Sequence, residues 1–263
     1  MKPQEDEKRA ILRAEWADSP IYNGQVTLGG LVPGGAGSKP STADLNPPIC
    51  LAYAKPAFDN AGSPEGAHEF IASELAYLLG ISVPPVGFWT NEHGVPYALS
   101  VRAFRQAQTL GQANLSNREG AALRPIFLQG LVFHTWICDP DHSGAKKGQA
   151  GHPRNVVVDA RSPPGRPQIS FIDHAFALTK SWAPTDGPAK IPANYYVEPG
   201  RRDAKTIAAT IESVHGISGD AVKSLISRIP NKFLAERSRI LIYDCLRRRS
   251  DELEAAFARV LGR

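Results

Sequence analysis

The strings FHTWICDPDH (133–142), RNVVVD (154–159) and FIDHAFAL (171–178) decide the reading of this 263-residue chain. The first ends a run, RPIFLQGLVFHTWIC, that is apolar on most sides and predicts a buried helix within residues 116–138. That helix gives way at once to Asp139, Asp141 and His142. The other two strings predict short apolar strands, 155–158 and 169–172, split by the turn SPPGRP, with Asp173 and His174 at the exit. Polar residues at the ends of buried elements suit chemistry, because the rigid element fixes them while the loop leaves them reachable. Taken singly, each acid is better read as a helix terminator or a turn residue. Taken together they read as a site.

If the two strands pair antiparallel, the start of one faces the end of the other, and Asn155 shares an edge with Asp173. An amide and a carboxylate there suit Mg²⁺, which takes oxygen ligands and leaves positions for water and phosphate. Asp141 is then free to accept or orient a hydroxyl proton.

Upstream, residues 49–55 (ICLAYAK) alternate and predict a strand ended by Pro56. Lys55 shares a face with Ile49, Leu51 and Tyr53, which points it inward, and an inward lysine needs an anionic partner. Glu69 is the candidate, on a helix predicted over 67–79 with Ala72, Ser73 and Ala76 continuing its face and Gly80 as its C-cap. Glu74 lies about 140° away around that helix, so only one of the two can fill the role. The plain alternative for both glutamates is a solvated surface. Residues 29–48 read as a Gly/Pro loop. Its glycines, Gly35 and Gly37 among them, permit a backbone cradle for phosphates, although the string Gly37-Ser38-Lys39-Pro40-Ser41 is no Walker motif and a plain linker is the alternative.

The remaining elements follow from the same patterns. Strands are predicted over 11–16, 25–28, 83–90 and 95–104, with a turn at Asn91–Gly94. Helices are predicted over 203–215, 219–228 with Ser218 as cap, and about 231–261. A hinge near 104–112 divides a β-rich lobe, 1–107, from a mainly helical lobe, 108–263. His134 reads as a satisfied core histidine, and the run Arg247-Arg248-Arg249 as a solvated helix face.

Composition sets the outer limits. Thirty basic against 26 acidic residues, net +4, do not make the clustered basic stripe of an electrostatic DNA binder. Three distant cysteines argue against both a disulfide scaffold and a zinc module, and suit a reducing compartment. No apolar run approaches the ~20 residues of a membrane span, and the charged start MKPQEDEKRA is no signal peptide. The expectation is a soluble cytoplasmic protein with no membrane and no direct nucleic-acid contact.

Glycine loop, strand lysine, helix glutamate, catalytic-loop Asp with Asn, and strand-end metal Asp stand in the order of a protein kinase. The strings themselves resemble the HipA-like kinases of bacteria, and more distantly the phosphoinositide kinases. The match rests on EFIASELAYLLGISVPPV (69–86), the three strings above and the tail ISRIPNKFLAERSRILIYDCLRRRSDEL, and covers most of the chain from Gly30 onward. The resemblance implies an α+β, two-lobed protein-kinase-like fold and an ATP- and Mg²⁺-dependent serine/threonine kinase acting on a protein. By it, Lys55 holds the α- and β-phosphates and pairs with Glu69, and Asp141 is the catalytic base. Asn155 and Asp173 take the metal, Gly35, Gly37 and Ser38 line the phosphate loop, and the backbone around Val101 receives adenine. It also implies autophosphorylation at Ser38 or Ser41, and an antitoxin-type partner chain.

The chain departs from the pattern twice. Asp139 stands where the family has Asn. Asp141 and Asn155 are fourteen residues apart instead of about five, through an insert carrying Lys146 and Lys147. These departures keep a nucleotide-binding pseudokinase in view. A metal-dependent phosphohydrolase using Asp139, Asp141, His142, His152, Asp173 and His174 is the third reading, although no compact spacing such as HExxH appears.

Overall fold

The computed structural model describes residues 4–32, 39–60, 62–142, 152–178, 189 and 191–263. The chain begins with helix α1 (Gln4–Asp18), where a strand was expected over 11–16. The helical period wins because Leu12 and Trp16, four residues apart, are both buried while Ile11 is exposed.

A five-stranded antiparallel sheet follows, in the order β1-β2-β3-β5-β4. Its strands are β1 (Gln25–Leu31), β2 (Ser41–Asn46), β3 (Cys50–Pro56), β4 (Val86–Thr90) and β5 (Pro96–Val101). Of the expected loop over 29–48, residues 29–31 and 41–46 are thus sheet. β1 runs through Gly29 and Gly30, and β2 buries Ala43 and Leu45 in strict alternation. Gly35, Gly37 and Ser38 lie outside the described residues.

β3 is the predicted strand, but the face expected to be buried is the wrong one. Cys50, Ala52 and Ala54 are buried and join Leu12, Trp16 and Tyr22 in a small core under α1. Ile49 and Leu51 are exposed. Trp16 packs closely on the same side of the sheet: a Cβ on Gly87 of β4 would lie 2.5 Å from its ring. The Lys55 side of β3 is covered only at its end.

Helix α2 (Glu65–Leu78) links β3 to β4 and is buried along nearly its whole length. Gly80 follows it at φ +70°, the left-handed geometry that favours glycine at a helix end. The apolar side chains of α2 merge with those of the second half into one continuous core that includes Phe70, Phe88, Phe133, Phe171 and Phe233.

The second half is mainly helical around a three-stranded sheet, β6 (Ala107–Thr109), β7 (Val156–Asp159) and β8 (Ile169–Phe171). β6 lies within the predicted hinge and pairs with β7. Helix α3 (Asn117–Ile137) is closed at its start by a capping box between Ser116 and Glu119, and is buried almost continuously from Phe127 to its end. Helices α4 (Ala204–His215), α5 (Gly219–Ser227, capped by Ser218), α6 (Glu236–Ala256) and α7 (Ala258–Leu261) complete the fold.

The single helix expected over 231–261 is therefore two. Before α6 the chain folds inward to stack Phe233 on Phe88, with ring centroids 4.3 Å apart. The arginine run is not one solvated face either. Arg249 is buried because Leu246, Arg249 and Leu253 fall on the inward stripe of α6. No helix among the described residues is long and apolar enough to cross a membrane.

An ionic clamp ties these layers together. Glu74 of α2 accepts from Arg13 of α1 at 2.7 Å and from Arg228, just beyond α5, at 2.9 Å. Arg13 also reaches the Val83 carbonyl and the Ser73 hydroxyl. Glu74 is thus buried, not a surface solubiliser. Removing one partner of a buried ion pair leaves an uncompensated charge. Glu74→Ala should therefore cost about 3 kcal/mol in urea unfolding. A loss below ~0.5 kcal/mol would mean the clamp behaves as an ordinary surface pair.

Candidate active site

The two halves meet at Lys55. Its Nζ donates to Glu69 Oε1 at 2.7 Å and to Asp173 Oδ1 at 2.5 Å. β3 places the lysine, the second turn of α2 places the glutamate, and the chain leaving β8 places the aspartate. Glu69 is buried, whereas the Asp173 side chain is 39% exposed. Burial by itself would lower the Lys55 pKa. The Glu69 and Asp173 carboxylates outweigh it and hold the ammonium above its ordinary value. Burial pushes the Glu69 carboxyl up against the opposing pull of Lys55, and the charge on Asp173 adds to the rise. Asp173 has φ 62°, a left-handed conformation that aspartate tolerates better than most residues and that costs energy unless its surroundings enforce it.

The hairpin geometry expected from sequence is present. Val156 pairs with Phe171 antiparallel, and the Ile172 amide donates to the Asn155 carbonyl at 2.9 Å, so Asn155 and Asp173 share one edge. Asp141 lies in a 3-10 turn (Pro140–His142) whose amide is held by Asp139 Oδ1 at 2.9 Å. Asn155 Nδ2 donates to the Asp141 carbonyl at 3.1 Å and to its Oδ2 at 3.3 Å. The long insert therefore leaves Asp141 beside Asn155. Burial, then the charges of Asp139 and Asp173, push the Asp141 carboxyl above the usual range.

Other predicted residues are placed less directly. Val101 ends β5, and its amide donates to the Pro85 carbonyl while that of Arg102 donates to Leu51, so neither N–H is open to a ligand. Ser41 begins β2. Lys146 and Lys147 lie outside the described residues.

The phosphohydrolase reading groups Asp139, His142 and His174 as metal ligands, but it leaves out His134, which joins them in a cluster beneath Asp141. His134, Asp139, His142 and His174 come together fully buried. His134, expected to be a plain core residue, has Nδ1 at 2.7 Å from the Tyr195 hydroxyl and Nε2 at 3.3 Å from His174 Nε2. Burial, then the neighbouring His142, push both pKa values down, that of His174 to about 3, so both rings are neutral at physiological pH. Glu65, at the start of α2, is also buried near Lys55, and burial raises its pKa. Its signal in the sequence was only its place four residues before Glu69.

Two solved structures share this arrangement of elements. The Helicobacter pylori proinflammatory kinase CtkA superposes with TM-score 0.62 at 15% identity, over 91% of this chain and 97% of that one. The fold is shared with HipA-like kinases. HipA of the Shewanella oneidensis toxin–antitoxin system, solved with HipB and operator DNA, superposes with TM-score 0.52 at 14% identity. That match covers 89% of this chain and 64% of HipA. No family model matches the sequence, and no curated protein is significantly similar to it.

The Lys55–Glu69 contact should be energetically real. In a double-mutant cycle of Lys55→Met and Glu69→Gln, the two changes should couple by more than ~1 kcal/mol in urea unfolding. Additivity within ~0.3 kcal/mol would show that the two side chains do not interact.

Proposed function

We propose that this chain is an ATP- and Mg²⁺-dependent kinase that transfers a phosphoryl group to a serine or threonine of a protein, working with an antitoxin-type partner chain. The observation that carries the reading is Lys55 held between Glu69 and Asp173, with the Asp141–Asn155 pair near Asp173, in a fold shared with kinases.

Phosphoryl transfer asks little covalent chemistry of a protein and much positioning and charge neutralisation. Lys55, its charge stabilised by Glu69, is placed to meet phosphate oxygens. Asp173 and Asn155 offer an oxygen donor set that fits a hard cation. When bound, Mg²⁺ supplies neutralisation of the phosphate oxygens. Asp173 is the partly exposed member of the lysine's two carboxylates, so it is the one free to turn toward a cation while Glu69 keeps Lys55 in place. Asp141, with its carboxyl held above the usual range, is suited to orient an acceptor hydroxyl and take its proton.

The hydrogen bond from Asn155 to Asp141 also favours a catalytic chain over a pseudokinase scaffold, since the insert does not part the two. The phosphohydrolase reading loses support, because Asp141 and Asp173 stand outside the histidine cluster.

Incubation with γ-labelled ATP and Mg²⁺ tests the proposal. Label should enter the chain itself or an added protein acceptor, and should fall at least ~100-fold in Asp141→Ala and in Asp173→Ala. Equal incorporation in both variants and the parent would overturn it.

A further inference from the structure

The cluster beneath Asp141 has a chemistry of its own. His134 comes from the last turn of α3, Asp139 and His142 from the loop that carries Asp141, and His174 from the residue after Asp173. All four are buried, and one ligand atom from each lies within 4.8 Å of all the others. Aromatic rings, among them Phe133, Phe171 and Tyr196, wall the cluster off from water.

Its polar atoms are poorly satisfied. His142 Nε2 meets no partner, and Asp139 Oδ2 faces His142 Nδ1 at 3.1 Å in an ion-pair contact that is not a well-aligned hydrogen bond. A buried carboxylate and a buried imidazole in that state are costly unless something else meets them.

The spacings suggest what does. Zinc bonds of 2.0–2.1 Å in a tetrahedron put neighbouring donors about 3.3 Å apart. His134 Nε2 and His174 Nε2 are 3.3 Å apart, and the Asp139–His142 pair is close to the same edge length. The supporting bonds are also in place. His134 Nδ1 meets the Tyr195 hydroxyl at 2.7 Å, the outer contact that fixes the tautomer of a ligating histidine. Asp139 uses its other oxygen, Oδ1, on the Asp141 amide. Three imidazoles and one carboxylate suit zinc and not magnesium, which prefers oxygen. The His134 and His142 rings stack with centroids 3.9 Å apart, so ligating one ion together turns one ring off the other's face.

We propose that His134, Asp139, His142 and His174 form a zinc site that fastens the loop carrying Asp141 to the segment carrying Asp173. The sequence shows no compact metal-ligand spacing for it, because its ligands span 40 residues from His134 to His174. It also gives Asp139 a role at the position where the HipA-like pattern has Asn. The site does not depend on phosphoryl transfer.

The full chain, carrying no polyhistidine tag and produced with zinc in the medium, should retain about one zinc per chain after dialysis, measured by plasma mass spectrometry. Cobalt(II) in its place should give the intense visible absorption of a four-coordinate ion. His142→Ala and His174→Gln should each lose the metal, whereas Asp173→Asn should keep it, which separates this site from the magnesium ligands. Asp139→Asn, the mildest change, should weaken zinc at least ~10-fold, since a neutral amide replaces a charged ligand. A parent chain with background zinc and no cobalt band would overturn the proposal whatever the variants do. So would zinc retained in the His142→Ala, His174→Gln double variant. Because no readout uses ATP, a failed kinase assay leaves this result intact.

Discussion

One buried cation holds the two halves of this molecule in register. Lys55 is enclosed by Glu69 and Asp173, which come from a helix and a strand exit far apart in the chain. A lysine ammonium so placed is unfavourable without carboxylates, and buried carboxylates are unfavourable without the lysine. The sheet must therefore end where α2 begins, and β8 must deliver its aspartate to the same point. The φ of 62° at Asp173 is consistent with this demand, since the turn that carries the carboxylate inward is one most side chains avoid.

The surroundings enforce that geometry from three directions. α2 is fixed by the Arg13–Glu74–Arg228 clamp, which links it to α1 on one side and to the end of α5 on the other. The continuous aromatic core from Phe88 through Phe233 to Phe171 joins sheet to helices without a break. The histidine cluster sits directly under the loop that carries Asp141 and reaches the residue beside Asp173. Rigid support of this kind lets a charged site keep its geometry while exposing one carboxylate.

Legibility in the sequence followed locality. The α3 run, the two short strands and their terminal acids were readable because each signal lies within a few residues. The Lys55–Glu69 contact was readable because fourteen residues separate a strand from the next helix. α1 was misread because, among its described side chains, only Leu12 and Trp16 carry the buried period, and β2 was hidden by the glycines and proline before it and the prolines after it. The face of β3 was misjudged because side-chain size argued for burying Ile49 and Leu51, while α1 in fact covers Cys50, Ala52 and Ala54. The clamp on Glu74 joins residues 61 and 154 apart, and no local pattern announces it. His142 and His174 were grouped with Asp139 from sequence, but the place of His134 among them is a property of the folded chain.

The proposed function turns on Lys55 and its two carboxylates forming a nucleotide-phosphate site. A crystal structure with a non-hydrolysable ATP analogue and Mg²⁺ tests it most directly. Phosphate oxygens should lie within hydrogen-bond reach of Lys55 Nζ, with Glu69 still paired with it and Asp173 turned with Asn155 toward the magnesium ion. An analogue bound elsewhere, or absent at saturating concentration with the Lys55–Asp173 contact intact, would contradict it.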